Sequence, residues 1–276
     1  MLGRFMHTPI RHLFCFYRCR YFLLVGVALL LMVPVWAESQ AAAILVYHRF
    51  GPAVADSMTT RTAVFEAQLA RLRSDGYQFM PLSALVAGLE GQTVLPAKAL
   101  AITVDDGHRT VYSDLLPIIR RDRLPVALFI YPSAISNAPY AMTWEQLTEI
   151  VATGLVEVYS HTYWHPNFRI EKKRLAPEVY HRFVRNQLEK SRQVLKSRLG
   201  VEALYLAWPF GIYDAELEAA ASAAGYQAAF TLEARHATRA DSLLALPRYL
   251  IVDATGVAGL SQRLKDGERR VAGVRP

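Results

Sequence analysis

The stretch LAITVDDG, residues 100–107, sets a short apolar run directly before two carboxylates and a glycine. A run of this length, rich in branched side chains and bounded by turn residues, is typical of a strand buried on both faces of a sheet. Six other runs of the same kind occur along the chain, so the sequence predicts seven buried strands. The other six are residues 43–47, 126–131, 156–159, 204–207, 227–231 and 249–252.

Segments with helical periodicity separate these strands. They are residues 63–73, 111–121, 143–153, 177–199 and 214–224. Thr143 with Gln146, and Asp214, are typical of a helix start, and Gly200 is typical of a helix end. Alternating strands and helices predict an α/β fold whose parallel sheet is closed, or nearly closed, into a barrel at this chain length. In such a barrel the catalytic residues follow the carboxyl ends of the strands.

Residues 1–37 have the composition of an export segment. They contain four arginines and no acidic residue, then an apolar run over 21–35 and a small-x-small pattern at 35–37. This order predicts a secretory signal peptide. The alternative is an uncleaved membrane anchor through residues 21–36, since a spanning helix needs roughly 20 apolar residues and this run is only slightly short. Either way the single domain, residues 38–276, is expected outside the cytoplasm, in the periplasm or cell envelope, and an anchor would hold it at the inner membrane.

The domain that follows the leader is only mildly basic. The formal net charge is +7 for the whole chain and +3 without the four leader arginines. No stripe of basic residues with interleaved aromatics is present, so nucleic acid is not an expected partner. Residues 169–198 are rich in lysine and arginine but alternate with apolar residues, which predicts a solvated helix face. Both cysteines, Cys15 and Cys19, lie in the leader, so the domain offers no disulfide and no cysteine ligand.

Polar side chains follow four of the predicted strands. These are His48, the pair Asp105 and Asp106, the segment SHTYWH at 160–165 and the segment WPFG at 208–211. Adjacent carboxylates repel each other unless a cation or a proton balances them. Two histidines four residues apart can converge on one metal, and a single aspartate completes a site with the open positions that catalytic zinc needs. Alone, Asp-Asp-Gly is often a turn and a histidine pair is often accidental, but their order on separate strand ends favours a catalytic metal site.

Three segments together resemble the first three motifs of the family 4 carbohydrate esterases. They are TVDDG at 103–107, SHTYWH at 160–165 and WPFG at 208–211. This family contains the polysaccharide deacetylases typified by the nodulation chitooligosaccharide deacetylase domain. The resemblance covers residues 43–252 and implies that the fold is a distorted, incomplete (β/α) barrel.

The resemblance also implies a role for each matching residue. Asp105 would be the catalytic base, and the backbone N–H of Phe210 would help to hold the oxyanion. The second aspartate and both histidines, Asp106, His161 and His165, would bind a divalent metal. Zinc is the expected ion, and the same ligands would accept cobalt, nickel or iron.

One departure from the family concerns the arginine that orients the base. The position of that arginine is occupied by Ala207. Arg248, next to the last predicted strand, could supply the missing guanidinium from another element. The alternative is an exposed arginine at the start of a strand, since Pro247 marks a turn there.

A second departure concerns the acid that protonates the leaving amine. Many members place a histidine in a late Leu-x-His motif, but residues 249–260 contain no histidine. His48 is the favoured acid, because exopolysaccharide deacetylases that act on poly-N-acetylglucosamine are similar in having a Tyr-His after the first strand. In a barrel the first and last strands are neighbours, which permits this exchange. The alternatives are that His48 only shapes the pocket as a hydrogen-bonded histidine, or that the acid is His236, in a polar stretch at 233–241 that is expected to be a surface loop.

The expected function is metal-dependent hydrolysis of N-acetyl groups from amino-sugar residues of a polysaccharide, with release of acetate. Poly-N-acetylglucosamine, other exopolysaccharides, peptidoglycan and chitin fragments all carry this group, so the glycan stays open, as does the oligomeric state. Two alternatives also stay open: a non-catalytic glycan-binding or export domain on the same fold, and a barrel glycosidase. A glycosidase needs two carboxylates roughly 5–9.5 Å apart across a sugar. His108, which follows the Asp-Asp-Gly, is expected to be a rim residue without a role, and the alternative is a contact with substrate.

Overall fold

Eleven strands and eight α-helices make up the part of the chain that the computed structural model describes, residues 41–273. The strands are β1 (Ala41–Tyr47), β2 (Arg49–Gly51), β3 (Thr59–Arg61), β4 (Gln78–Phe79), β5 (Ala99–Asp105), β6 (Val126–Ile130), β7 (Val156–Ser160), β8 (Tyr205–Ala207), β9 (Ala228–Phe230), β10 (Ala237–Thr238) and β11 (Tyr249–Leu250). The helices are α1 (Thr62–Ser74), α2 (Leu82–Leu89), α3 (Leu116–Asp122), α4 (Trp144–Val151), α5 (Phe168–Arg174), α6 (Pro177–Leu199), α7 (Ala215–Ala223) and α8 (Gly256–Val271). The predicted leader, residues 1–37, lies outside the described residues.

All seven predicted strands are present and belong to one mainly parallel sheet. Its order is β10-β1-β5-β6-β7-β8-β9, with β11 beside β1 and β4 beside β5. Only β10 runs antiparallel to its neighbour among the described pairs of this sheet. The strands β2 and β3 form a separate parallel pair.

The two edges of the sheet approach each other through residues 246–251. At one end of this segment Leu246 N donates to Ala229 O at 2.8 Å, next to β9. At the other end Ile251 N donates to Val46 O at 2.9 Å, on β1. The sheet therefore curls until it is nearly closed, and the predicted distorted, incomplete α/β barrel is confirmed.

The sequence pattern of the strands follows from burial on both faces. Every residue of β1 and β5 is buried. Alternate residues point to opposite faces, so Leu45 and Ile102 pack in the outer core under the helices, whereas Ile44 and Phe129 pack in a second core. Side chains of α2 belong to that second core.

The helix starts predicted at Thr143 and Asp214, and the helix end predicted at Gly200, match the observed helices. Thr143 and Gln146 form a reciprocal capping box on α4, and the Asp214 carboxylate accepts from the Leu217 N–H at the start of α7. Gly200 ends α6 with a φ of 70°, in the left-handed region that glycine adopts without steric cost. Among the described residues no helix combines the length and the apolar character needed to cross a membrane.

The expectation of a surface loop at residues 233–241 is wrong at His236. Residues Ala237–Thr238 form β10 and pair with β1, which draws the preceding residue into the protein. His236 is 6% exposed, and its Nδ1 lies 2.9 Å from the Tyr249 hydroxyl. The loop carries a buried histidine because tertiary pairing overrides its polar composition.

Candidate catalytic and metal site

A cavity of about 170 Å³ lies at the carboxyl ends of the strands. Asp105 is the last residue of β5, and the segment carrying both motif histidines follows the last residue of β7. The cavity is lined by His48, Met58, Asp105, Asp106, His161, His165, Trp208, Phe210, Leu232 and Leu250. Six of the seven predicted site residues are among them, and the seventh, Arg248, lies directly behind Asp105. The fold thus brings together residues that are up to 200 positions apart in the sequence.

Asp106, His161 and His165 form a cluster that could hold a metal ion. One ligand atom from each lies within 4.8 Å of the other two. Asp106 Oδ1 is 3.7 Å from His161 Nε2 and 3.9 Å from His165 Nε2. His161 Nδ1 lies 2.7 Å from the carbonyl oxygen of Ala207, which can only accept, so Nδ1 carries the proton and Nε2 keeps its lone pair.

The protonation state of His165 also suits a metal ligand. Burial, followed by the neighbouring His161, lowers the pKa of His165 to about 4. Its imidazole is therefore neutral at neutral pH, which is the form that coordinates metals. Two imidazoles and one carboxylate fit zinc and the related divalent ions.

Unusual backbone geometry aims these side chains. Of the six non-glycine residues with positive φ in the described chain, four lie at this site: Asp106 (79°), Thr162 (64°), His165 (63°) and Phe210 (57°). Such conformations cost free energy and cluster at functional sites, where the surrounding structure enforces them. Here the carboxylate and imidazole directions depend on them.

Hydrogen bonds hold the metal loop, residues 161–165, in this conformation. The Thr162 N–H donates to Ser160 Oγ, and the Thr162 hydroxyl accepts from the His165 N–H, both at 3.1 Å. Buried Gln187 on α6 accepts from the Trp164 N–H at 3.0 Å. The loop is therefore fixed both from within and from a neighbouring helix.

Asp105 forms a bidentate ion pair with Arg248. Nη1 donates to Oδ1 and Nη2 to Oδ2, each at 2.8 Å, and the two residues are 0–1% exposed. The guanidinium also donates to Thr103 Oγ1 at 3.0 Å and to Thr231 O at 3.2 Å. Arg248 precedes β11 and is fully buried, so the alternative of an exposed arginine is wrong.

This ion pair controls the charge of Asp105. Burial by itself raises the pKa of Asp105, but the charge and hydrogen bonds of Arg248, together with His161, outweigh burial and lower the pKa to about 2. The carboxylate is therefore ionised at every pH near neutrality. Arg248 uses one lone pair on each carboxylate oxygen, so one lone pair on each is not used by it.

His48 lines the cavity, whereas His236 does not. His48 follows β1, and its Nδ1 is buried without a hydrogen-bond partner among the described residues. Burial lowers the pKa of His48, while Asp105 and Asp106 act in the opposite direction. His236 instead contacts Tyr249 beside α8. The structure thus places one of the two candidate acids at the site.

Sequence reasoning missed several residues of the cavity wall. Met58, Leu232 and Leu250 line it, and the Tyr131 ring lies 5.4 Å from the His165 ring, centroid to centroid. Tyr131 is the last residue of a predicted strand, a position that could have indicated it, and Leu250 lies within another predicted strand. Met58 lies in a short connection between β2 and β3, which no sequence signal predicted.

Comparison with known proteins gives concordant matches. The model of the polysaccharide deacetylase family matches residues 93–229. The poly-β-1,6-N-acetyl-D-glucosamine N-deacetylase of Escherichia coli K12 is 25% identical over 241 residues, covering 75% of this chain and 36% of that protein. The enzyme of the same name from Staphylococcus aureus MRSA252 is 24% identical over 193 residues, covering 68% of this chain and 66% of that protein. This chain thus spans about a third of the length of the E. coli relative.

A solved structure, IcaB from Ammonifex degensii, has a similar fold. It superposes with a TM-score of 0.72 at 25% identity and covers 82% of this chain and 97% of its own. A Streptococcus pyogenes deacetylase, PplD, superposes with a TM-score of 0.70 at 21% identity, which supports the fold alone. The curled sheet and its helices are therefore a fold that this chain shares with both solved structures.

Proposed function

Because the chain belongs to the polysaccharide deacetylase family, we propose that it removes N-acetyl groups from N-acetylglucosamine residues of an extracytoplasmic polysaccharide and releases acetate. One observation carries the proposal: an Asp-His-His cluster and a buried, ion-paired aspartate share one cavity. The relatives named poly-β-1,6-N-acetyl-D-glucosamine N-deacetylases support that polymer as the substrate.

In the proposed site Asp106, His161 and His165 hold a divalent metal, with zinc as the first expectation. Their donor atoms and the neutral state of His165 suit such an ion. When bound, the metal polarises the acetyl carbonyl and lowers the pKa of a bound water. The Ala207 carbonyl keeps His161 in the tautomer that offers Nε2.

Asp105 is the proposed base. Its carboxylate is ionised and held by Arg248, so one oxygen can accept the proton of the water that attacks the acetyl carbon. Arg248 acts as a positioning residue, because it touches the base and is shielded from the cavity. The backbone N–H of Phe210, a residue of the cavity wall, is the proposed donor to the oxyanion.

His48 is the proposed acid. The C–N bond can break only if the amine nitrogen receives a proton, since an amide nitrogen is a poor anionic leaving group. His48 is the histidine of the cavity wall that is outside the metal cluster, and in its protonated form it would give a proton to the amine. The proton taken by Asp105 and the proton given by His48 then balance the hydrolysis.

The cavity favours this reaction over the glycosidase alternative. Among the described residues that line it, the carboxylates are Asp105 and Asp106, which are neighbours in sequence. A glycosidase needs two carboxylates on opposite sides of a sugar. Here Asp105 is ion-paired with Arg248, and Asp106 belongs to the metal cluster.

We further propose that residues 1–37 act as a signal peptide, so that the enzyme works in the periplasm or cell envelope. The basic and apolar composition of that segment supports export. Fusion of residues 1–40 to a reporter that is active only after export tests this. A reporter retained in the cytoplasm would contradict it.

The test of the activity is acetate release from β-1,6-linked N-acetylglucosamine oligomers by residues 38–276. Release should stop when the metal is chelated and return when zinc is added. Asp105→Asn should retain zinc but lose at least about a hundredfold in kcat, since general-base catalysis contributes about 10²–10⁴. Release that survives chelation would refute the metal mechanism, and full activity of Asp105→Asn would refute the assignment of the base.

A further inference from the structure

The segment at residues 131–142, which follows β6, is hydrogen-bonded to the Asp-Asp-Gly turn and to the metal loop. Three backbone hydrogen bonds make the attachment. They run from Arg109 N to Tyr140 O at 2.8 Å, from Met142 N to Gly107 O at 3.0 Å, and from Ser133 N to Tyr163 O at 3.0 Å. Because its two ends are bonded to the Asp-Asp-Gly turn and to the metal loop, the side chains of this segment have fixed positions relative to the cavity.

Tyr140 presents its ring to solvent from this segment. The residue is 40% exposed, yet its hydroxyl lies 2.7 Å from the Tyr131 hydroxyl. The His108 ring lies nearly parallel to the Tyr140 ring, at 10° and 6.3 Å between centroids. Tyr131 in turn contacts His165 of the metal cluster. A series of contacts, from His165 through the ring and hydroxyl of Tyr131 to Tyr140, therefore leads outward from the metal cluster.

Core packing does not account for this arrangement. Two fifths of Tyr140 stays exposed, although backbone and hydroxyl hydrogen bonds hold the residue in one orientation. Exposed rings that are held in one orientation are typical of binding surfaces. Covering such a ring costs little further side-chain entropy, because the ring is already ordered. The partner should present a flat apolar face, because aromatic rings attract such faces.

The cavity itself holds only part of a polymer. Its volume of about 170 Å³ is below the roughly 300–1,000 Å³ of sites that enclose a drug-sized ligand. An acetamido group and the ring that carries it would fill the cavity, and the next sugar would lie on the surrounding surface. The Tyr140 ring is part of that surface, because its hydroxyl bonds to that of Tyr131, whose ring contacts His165.

We propose that Tyr140, backed by His108, is a binding platform for the sugar residue adjoining the one that is deacetylated. The inference rests on the proposed function, which places the acetylated residue in the cavity. The C–H face of the adjoining pyranose covers the exposed face of the Tyr140 ring. The platform makes the protein prefer a polymer to a single sugar, and it gives His108 a role that its rim position in the sequence did not predict.

The test compares a β-1,6-linked N-acetylglucosamine tetramer with the monomer. Binding is measured by calorimetry on chelator-treated protein, which does not turn the ligand over, and KM and kcat are measured on the zinc-loaded protein. Tyr140→Ala should raise Kd and KM for the tetramer about fivefold to tenfold, the effect of uncovering roughly 50 Å² of apolar ring. Its kcat and its Kd for the monomer should change less than twofold.

Two further variants sharpen the test. Tyr140→Phe keeps the ring and should bind the tetramer like the wild type. Tyr112→Ala removes a tyrosine whose hydroxyl donates to Glu149 at 2.5 Å and which is not part of the cavity wall, and it should leave tetramer binding unchanged. Thermal unfolding of each variant checks that the fold is intact.

The outcomes separate this inference from the proposed function. Acetate release with an unchanged tetramer Kd in Tyr140→Ala overturns the platform and leaves the function standing. Equal weakening of tetramer and monomer also overturns it, because the ring would then belong to the primary site. Selective loss of tetramer binding without acetate release from any oligomer supports the platform and refutes the deacetylase.

Discussion

Replacement of Arg248 by methionine should destabilise the protein strongly and in a pH-dependent way. In the wild type the pKa of Asp105 is lowered from its usual 3.8 to about 2, which corresponds to roughly 2 kcal/mol of stability at neutral pH. Arg248→Met removes this stabilisation and leaves a buried carboxylate without a partner. The expected loss is about 3–5 kcal/mol of unfolding free energy at pH 7.

The sign of the pH dependence distinguishes the two proteins. In the wild type the folded pKa of Asp105 lies below the unfolded value, so its contribution is present above pH 4 and is lost as the pH falls towards 2. In Arg248→Met only burial and His161 remain as major influences, and burial raises the pKa of Asp105. Where the folded pKa of Asp105 in the variant exceeds the unfolded value, the loss of unfolding free energy relative to the wild type is largest at pH 7. This loss shrinks as the pH falls through the raised pKa.

Urea unfolding from pH 4 to pH 8, with chelator in every buffer, measures both effects. Arg120→Met is the matched control, since Arg120 pairs with Glu149 on the surface and both side chains are about half exposed. It should lose less than about 1 kcal/mol at any pH. The double variant Asp105→Asn/Arg248→Met should recover part of the loss, because no charge stays buried. A deficit for Arg248→Met as small as that of Arg120→Met, or one that does not vary with pH, would refute the reasoning.

Three further predictions concern the acid, the metal loop and α8. His48→Gln should lower kcat about a hundredfold or more with zinc content unchanged; a loss of zinc instead would make it a ligand. Gln187→Leu removes the acceptor that holds the metal loop and should weaken zinc binding about tenfold in a competition titration, whereas exposed Gln193→Leu on the same helix should not. Gly267→Ala places a methyl group 2.1 Å from His236 Nδ1 and should cost about 1–3 kcal/mol of unfolding free energy, measured in urea. Gly259→Ala, whose methyl group meets its nearest neighbour at 3.8 Å, should instead stabilise α8. Equal effects of the two substitutions would contradict this.

The long, strongly patterned elements could be predicted from the sequence. The seven buried strands are short, mainly apolar runs, and helices such as α6 keep a 3.6-residue period over their whole length. Elements without such a pattern escaped prediction. The strands β4 and β10 have two residues each, and α8 contains three glycines that disfavour a helix. Its Leu260 and Leu264 pack in the core, so tertiary contacts and not propensity hold it.

The site was predictable where its residues share a local motif. Asp105 with Asp106, and His161 with His165, are each close in sequence, and the strand before them fixes their direction. Met58 reaches the cavity from the connection between β2 and β3, and Tyr140 lies in a loop that is held by hydrogen bonds to residues distant in sequence. No local sequence pattern encodes the course of such a loop. Sequence reasoning therefore missed Met58 and gave Tyr140 no role.

The near-closure of the barrel accounts for both departures from the family motifs. Ala207 ends β8, where the expected arginine would stand, and Arg248 reaches Asp105 from the segment before β11. That segment is hydrogen-bonded to β9 on one side and to β1 on the other. The Arg248 side chain therefore enters the barrel beside β5, which is the other neighbour of β1. His48 follows β1 at the same place. A guanidinium and an imidazole can therefore come from the first and last strands because these strands are adjacent, and the chemistry depends on which atoms meet at the cavity and not on which motif carries them.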